Sequence, residues 1–465
     1  MNAPVAKKVL ADLWRAGGHS GAALDAVTLT GSEPVLPSSF AVGTMAQATV
    51  AASALAAAEL WRLRTGRQQA VSVDMRDAAI EFRSDHYLLV DGQPPPEHRD
   101  RTVGLYRCGD GRWVRLHTNM PHHRAGTLKL LKAEYDRAAV QRALDGWEAF
   151  QLEDAAAEAG LVITATRSFA EWDAHPQGRA VAGLPLFSIE RIGDAPPEPL
   201  PAGARPLAGV KVLDLTRVIA GPVCGRILAA HGADVLNITA AHLAAMEALV
   251  IDTNRGKLSA QLDLRHEASR DTLAALGRQA DIFIQGYRPG AIAQYGFSPQ
   301  EAARLRPGII YVSLSAYGHE GPWAGRRGFD SLVQNANGLN VAEAEAAGSD
   351  KPRPLPTQAL DHATGTLMAF GAMTALARRA QQGGSWHVRC SLAQTGQWFR
   401  YLGRIDAGLA CPDPGIDDAR DRLEEGPSGY GRLTAVRHSA VMSETPPQWV
   451  RPSVPLGAHA PAWPN

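Results

Sequence analysis

From Val210 onward, short apolar runs alternate with helix-length amphipathic stretches. The runs Val210–Leu215, Ala233–Ile238, Leu258–Leu262, Asp281–Gln285 and Ile309–Leu314 are rich in β-branched and apolar residues. Between them Val223–His231, His266–Gln279 and Pro299–Arg306 carry helical spacing. Nearly continuous apolar strands separated by helices predict an α/β fold with a doubly wound, Rossmann-like parallel sheet, buried on both faces. Ligands on such sheets sit beyond the carboxyl ends of the strands. The loops after Leu215, Ile238, Gln285 and Leu314 are therefore expected to share one site. A small-residue helix, Thr366–Arg379, a Gly383-Gly384 break and an alternating strand, Trp386–Leu392, follow.

The first half of the chain has a different rhythm. A short helix is expected at Val5–Arg15, then a small-residue helix at Ala46–Arg64, a break at Gly66 and a strand at Ala70–Met75. Shifting the chain by 317 residues lays Ala369–Arg379 over Ala52–Arg62, Gly383 over Gly66 and Val388–Leu392 over Val71–Met75. Residues 1–99 thus read as a partial repeat of the large domain. In that register Asp361 falls on Thr44. Residues 100–192 read as a smaller α+β domain. Its Tyr106-Arg107-Cys108 and Trp113–His117 flank Gly109-Asp110-Gly111, which predicts a hairpin. Helices at Arg124–Leu131 and Arg137–Ala159, a strand at Leu161–Ala165 and a helix at Phe169–Ala174 complete it. A proline-rich linker, 193–206, leads to the large domain, 207–400, and a Gly- and Pro-rich tail, 401–465, is expected to wrap the surface.

Composition narrows the function. A chain of 465 residues exceeds one ordinary core. Its 47 Lys+Arg balance 47 Asp+Glu, so nucleic acid is not an expected partner. No basic stretch leading into an apolar core opens the sequence, and no uncharged run approaches about 18 residues, which predicts a cytoplasmic protein without a membrane partner. Cys108, Cys224, Cys390 and Cys411 lack metal spacing, as do the His, Asp and Glu residues, so no metal is expected.

Three stretches bring in chemistry. The first is Thr216–Arg226, where Gly221-Pro222 opens a helix whose free N–H groups suit an anion. The fingerprints of a nicotinamide-dinucleotide fold and of a P-loop are missing. The second is a set of cations near strand ends, Arg255 and Lys257 in Thr253–Ser259 and Arg288 in Gly286–Gly290, placed to meet phosphates while Tyr287 stacks on a base. The third is Asp361, in Ala359-Leu360-Asp361-His362-Ala363-Thr364-Gly365, ahead of a helix. An acid there can serve as a cap for the helix N–H groups or can do chemistry.

The ordered set of motifs resembles the family III CoA-transferases, a group that includes formyl-CoA and carnitine CoA-transferases and the related alpha-methylacyl-CoA racemases. It runs through Leu207–Thr216, Ala220-Gly221-Pro222, His231–Val235, Asn254–Lys257, Leu262–Leu264, Tyr287–Gly290, Ser315–Pro322, Gly328-Phe329-Asp330 and Asp361 with Thr364-Gly365. Residues 40–190 resemble a later part of the family, and Arg451–His459 its C-terminal tail, so the segments stand in rearranged order. The resemblance implies Asp361 as the catalytic nucleophile. It implies a CoA site drawn from Val218, Ala220, Arg255, Lys257, Gly286, Tyr287, Arg288 and Tyr317. It further implies acyl-CoA and a carboxylic acid as substrates, no permanently bound cofactor, and an interlocked homodimer. Two features depart from the family: Thr239–Leu243 lacks the usual acid, prolines and arginine, and no glycine-run loop stands in the small domain. The competing readings are a non-catalytic acyl-CoA-binding protein and a racemase. In racemases a histidine precedes the acid of the motif matching Asp330, where this chain has Phe329.

Overall fold

The computed structural model describes residues 3–96 and 99–464. Its largest element is a seven-stranded sheet. In chain order the strands are β1 (Phe187–Gly193), β2 (Lys211–Leu215), β3 (Asp234–Thr239), β4 (Lys257–Gln261), β5 (Ile282–Gln285), β6 (Ile310–Ser315) and β7 (Ser385–Ser391). They lie in the order β4-β3-β2-β5-β6-β7-β1. All neighbours are parallel except β1, which runs antiparallel to β7 at one edge. The strand order reverses between β2 and β5, which pair Val212 with Ile282 and Leu215 with Gln285. That reversal opens a crevice beyond the carboxyl ends of both strands. The doubly wound parallel sheet expected from the apolar runs is therefore present, within one or two residues at each strand.

Three helices position the crevice: α1 (Val42–Thr65), α2 (Ala220–Ala230) and α3 (Ala359–Gln382). Each is almost wholly buried, which their alanine-rich, small-residue sequences allow, since small side chains let helix axes approach closely. Gly365 marks the crossing of α3 over α2, where an added Cβ would run into the carbonyl oxygen of Ala220. The helix expected from Thr366 begins seven residues earlier, at Ala359, so Asp361 lies inside its first turn. The start was hidden because Gln358 caps it without a side-chain hydrogen bond, and the cap comes from Asp330 instead.

Helices α1 and α3 are matched in form. Both α1 and α3 have 24 residues, and they pack against each other. Ala41 precedes α1 with φ −78° and ψ 62°, and Gln358 precedes α3 with φ −73° and ψ 62°. Each helix leads through a glycine into a strand, then into a short helix that starts at Met75 in one copy and Leu392 in the other.

The small unit holds the predicted hairpin, Gly104–Arg107 with Trp113–Leu116, joined by Ile163–Ala165. The helix expected over Arg137–Ala159 is two, Arg137–Leu144 and Ala149–Glu158. The break is held by the hairpin turn: Gly109 N–H donates to the Leu144 and Trp147 carbonyls, and Asp110 accepts from Ala149 N–H. Strand β1 ties residues 187–193 into the large sheet, across the boundary drawn at 192. The tail is also more ordered than its composition suggests. It contains the hairpin Leu423–Ser428 with Gly431–Val436, and the strand Ala440–Met442 pairs with Val71–Asp74. No helix of the described residues is long and apolar enough to cross a membrane.

Candidate active site

Where β2 and β5 part, a cleft of about 310 Å³ opens, within the size range of small-molecule sites. Its floor carries Asp361. The loop after β2 contributes Thr216 to Ala220, the loop after β5 Gly286 to Pro289, and the small unit reaches across with Met120, His122 and His123. One chain thus supplies both walls.

Asp361 is buried, 7% exposed, and its carboxylate oxygens accept no hydrogen bond among the described residues. Its backbone N–H, with that of Leu360, donates to Oδ2 of Asp330, at 3.0 and 2.9 Å. Asp330 Oδ1 accepts from the Gln334 amide. Two carboxyl groups therefore meet at the mouth of α3, one capping the helix and one facing the cleft. Burial holds the pKa of Asp361 well above the ordinary carboxylate range, and the like charges of Asp330 and Asp85 push the same way. Burial also lifts Asp330, to about 6.

Val218 lines the cleft with φ +75°, a left-handed conformation that a β-branched residue rarely adopts. It sits just ahead of α2, whose N-terminal residues Ile219 and Ala220 face the cleft. The first-turn N–H groups of α2 have no intrahelical partner and, with the helix dipole, favour negative charge. Four arginines surround this end: Arg217, Arg288, Arg326 and Arg327. Arg217 is anchored to the Ala244 carbonyl, and Arg327 donates to that of Gly160 at 2.6 Å. Arg326 pairs with Asp154 and lies 4.2 Å from the Trp323 ring centre.

Of the residues expected to bind CoA, the cleft gathers Val218, Ala220, Gly286, Tyr287 and Arg288 with Asp361. Tyr317 is fully enclosed and borders an adjoining cavity of about 90 Å³ shared with Arg288, Arg326 and Arg327. Arg255 and Lys257 need correction, because neither lines the cleft. Lys257 Nζ lies 2.8 Å from Asp214 and 2.7 Å from the Pro222 carbonyl, with both side chains 0% exposed. Gly225 makes room for it, since a Cβ there would stand 2.9 Å from Nζ. Lys257 thus holds the first turn of α2 from below. Arg255 bonds Asp252 and the Val436 carbonyl and lies 4.1 Å from the Trp449 ring centre. Both cations sit at the start of β4, the end opposite the crevice.

Sequence reasoning missed Arg217, Arg326 and Arg327, though all three adjoin motifs singled out above. It also missed His122 and His123, which only tertiary packing brings to the cleft. His123 is buried with both ring nitrogens unpartnered, and burial pulls its pKa down to about 3. His117 stacks on Phe329 at 3.9 Å, so that Phe329 is fixed beside Asp330. Among the described residues no group of His, Cys, Asp and Glu has the geometry to hold a metal.

A buried acid stands at the switch point of a doubly wound sheet, with four arginines lining the same cleft. The model of CoA-transferase family III matches residues 18–196 and 207–404, and the chain belongs to that family. An acetyl-coenzyme A transferase of Hypoxylon pulicicidum is 31% identical over 330 residues, covering 65% of this chain and 55% of that protein. A succinate–glutarate CoA-transferase of Agrobacterium fabrum is 29% identical over 218 residues, covering 42% of this chain and 52% of that protein. A crystal structure of a hypothetical protein from Mycobacterium tuberculosis aligns with 31% identity and a TM-score of 0.40, over 43% of this chain and 57% of its own. The chain spans about half the length of the curated relatives it matches.

Proposed function

We propose that the chain transfers CoA from an acyl-CoA thioester to a free carboxylic acid through a covalent intermediate on Asp361. The observation that carries this reading is the Asp361 carboxyl group, buried, accepting no hydrogen bond from the described residues, and lining a cleft that four arginines also line. A carboxylate stripped of water and of competing donors is a stronger nucleophile than one in solution.

In the proposed sequence the Asp361 carboxylate attacks the thioester carbonyl. The C–S bond breaks, CoA thiolate leaves, and a mixed anhydride remains. The thiolate then attacks the aspartyl carbonyl, which expels the donor acid and leaves an aspartyl-CoA thioester. The acceptor carboxylate attacks this thioester and releases the thiolate. Attack of that thiolate on the acceptor's carbonyl then yields the new acyl-CoA and restores Asp361. The N–H groups at the start of α3 are not free to stabilise the oxyanions, because Asp330 takes those of Leu360 and Asp361. Thr364 and Gly365 lie inside the helix. The first turn of α2, at Ala220 and Gly221, takes that role in this reading. Arg217 and Arg288 meet the phosphates, and Tyr287 flanks the nucleotide.

The family resemblance also implies an interlocked homodimer, which we retain as a proposal. The cleft's lining residues, from both the large sheet and the small unit, come from this chain. Incubation with acyl-CoA followed by hydroxylamine should leave a hydroxamate on Asp361, detected by intact mass and peptide mapping. Asp361→Ala should abolish the adduct and lower exchange by about 10³-fold or more. Calorimetric binding of CoA with no adduct and no exchange, unchanged in Asp361→Ala, would instead establish a non-catalytic binding protein.

A further inference from the structure

We infer that a second cavity, between the small unit and residues 351–354, is a binding site for a small polyanion carrying two or more phosphate or carboxylate groups. The cavity measures about 540 Å³ and shares no lining residue with the cleft around Asp361. Five cations line it: Arg99, Arg101, Arg115, Arg137 and Lys351. The acid beside them, Asp100, is already committed. Its carboxylate accepts from Thr102, Thr118, Tyr135 and Arg124, and its side chain is 2% exposed. Two nearby acids are committed as well, Asp136 as the cap of the helix Arg137–Leu144 and Asp350 to Arg107.

None of the five has a carboxylate partner among the described residues, and two are held by aromatic rings and backbone carbonyls. Arg137 donates to the carbonyls of Val103 and Leu105 and to the Tyr106 hydroxyl, and stacks 4.4 Å from the Tyr106 ring centre. Arg101 lies 4.3 Å from the ring centre of Tyr135. Arg115, on the central strand of the small sheet, forms no ion pair among the described residues, and its Nε is buried without a hydrogen-bond acceptor. Burial and the charge of Arg99 both disfavour its protonated form. Planar guanidinium groups fixed by stacking and backbone carbonyls are preorganised for forked contacts with phosphate or carboxylate oxygens. Four of the five are exposed and one, Arg115, is half-buried, so an anion entering the hollow would meet like charges from several sides.

Calorimetric titration of the full chain at low salt, with pyrophosphate and separately with citrate, tests the site. Saturable binding is expected with Kd below about 1 mM, weakening with added salt. Arg115→Gln should weaken it at least about tenfold, and Lys351→Gln, at an exposed position that keeps the fold, should weaken it in the same direction. Lys8→Gln, at an exposed position that lines neither cavity, should leave it unchanged. Preference for pyrophosphate marks a phosphate site and preference for citrate a carboxylate site. The inference is overturned if neither probe binds at about 10 mM, or if binding survives both Arg115→Gln and Lys351→Gln.

Discussion

The environment of Asp361 favours its neutral form, while the proposed attack requires the carboxylate. Because burial and two neighbouring acids raise its pKa, the reactive fraction in the free protein grows as pH rises. The pH profile of kcat/KM for acyl-CoA should therefore still climb above the usual carboxylate range. Asp330→Asn removes one like charge and keeps an oxygen for the N–H groups of Leu360 and Asp361, so the profile should move to lower pH. The same substitution reports on stability. A carboxyl raised from 3.8 to about 6 is favourable to the fold while protonated. That contribution is complete below pH 3.8 and is lost as pH rises through about 6. The denaturation midpoint of Asp330→Asn should thus gain on the parent protein between about pH 4 and pH 7. At this scale Asp361, Val218, Ala220 and Tyr287, which the cleft brings together, all stand in motifs the sequence displays. Arg255 and Lys257 misled because charge in a loop reads as surface, whereas each is paired inside the fold. His122 and His123 carried no local signal, since nothing near them in the chain records which wall they face.

Between elements, the geometry of the site depends on where α2 crosses α3 and on what lies beneath α2. Gly365→Ala should cost about 1–3 kcal/mol, because backbone rather than a flexible side chain stands in the way. It should also reduce exchange, since α2 must retreat from Asp361. Lys257→Met leaves Asp214 charged and unpaired in the core, with an expected cost of about 3–5 kcal/mol by chemical denaturation. The strands of the main sheet were readable because burial on both faces leaves continuous apolar runs. The start of α3 was not, because its cap is supplied by Asp330, 31 residues earlier. The break at residues 145–148 escaped for a similar reason, being imposed by a hairpin turn 39 residues away.

Across the whole molecule, the tail secures what the sheet and helices build. Trp449 Nε1 donates to the Arg226 carbonyl, Gly256 N–H to that of Arg451, and His459 N–H to that of Ser259. Trp449→Ala should lower stability by about 1–3 kcal/mol and loosen Arg255, readable as faster amide exchange in β4. The pairing of α1 with α3 has a further consequence. Thr44 N–H donates to Glu33 at 2.6 Å, as Asp361 N–H donates to Asp330, so both helices begin under an acid from elsewhere in the chain. The duplicated frame has kept its carboxylate clasp at both ends and its facing acid at one. A threonine in that seat carries no charge to be desolvated, so α1 is spared the burial penalty that raises Asp361. Thr44→Asp would reinstate the symmetry at the expense of stability, and with no cleft residues gathered around it, the twin would remain silent.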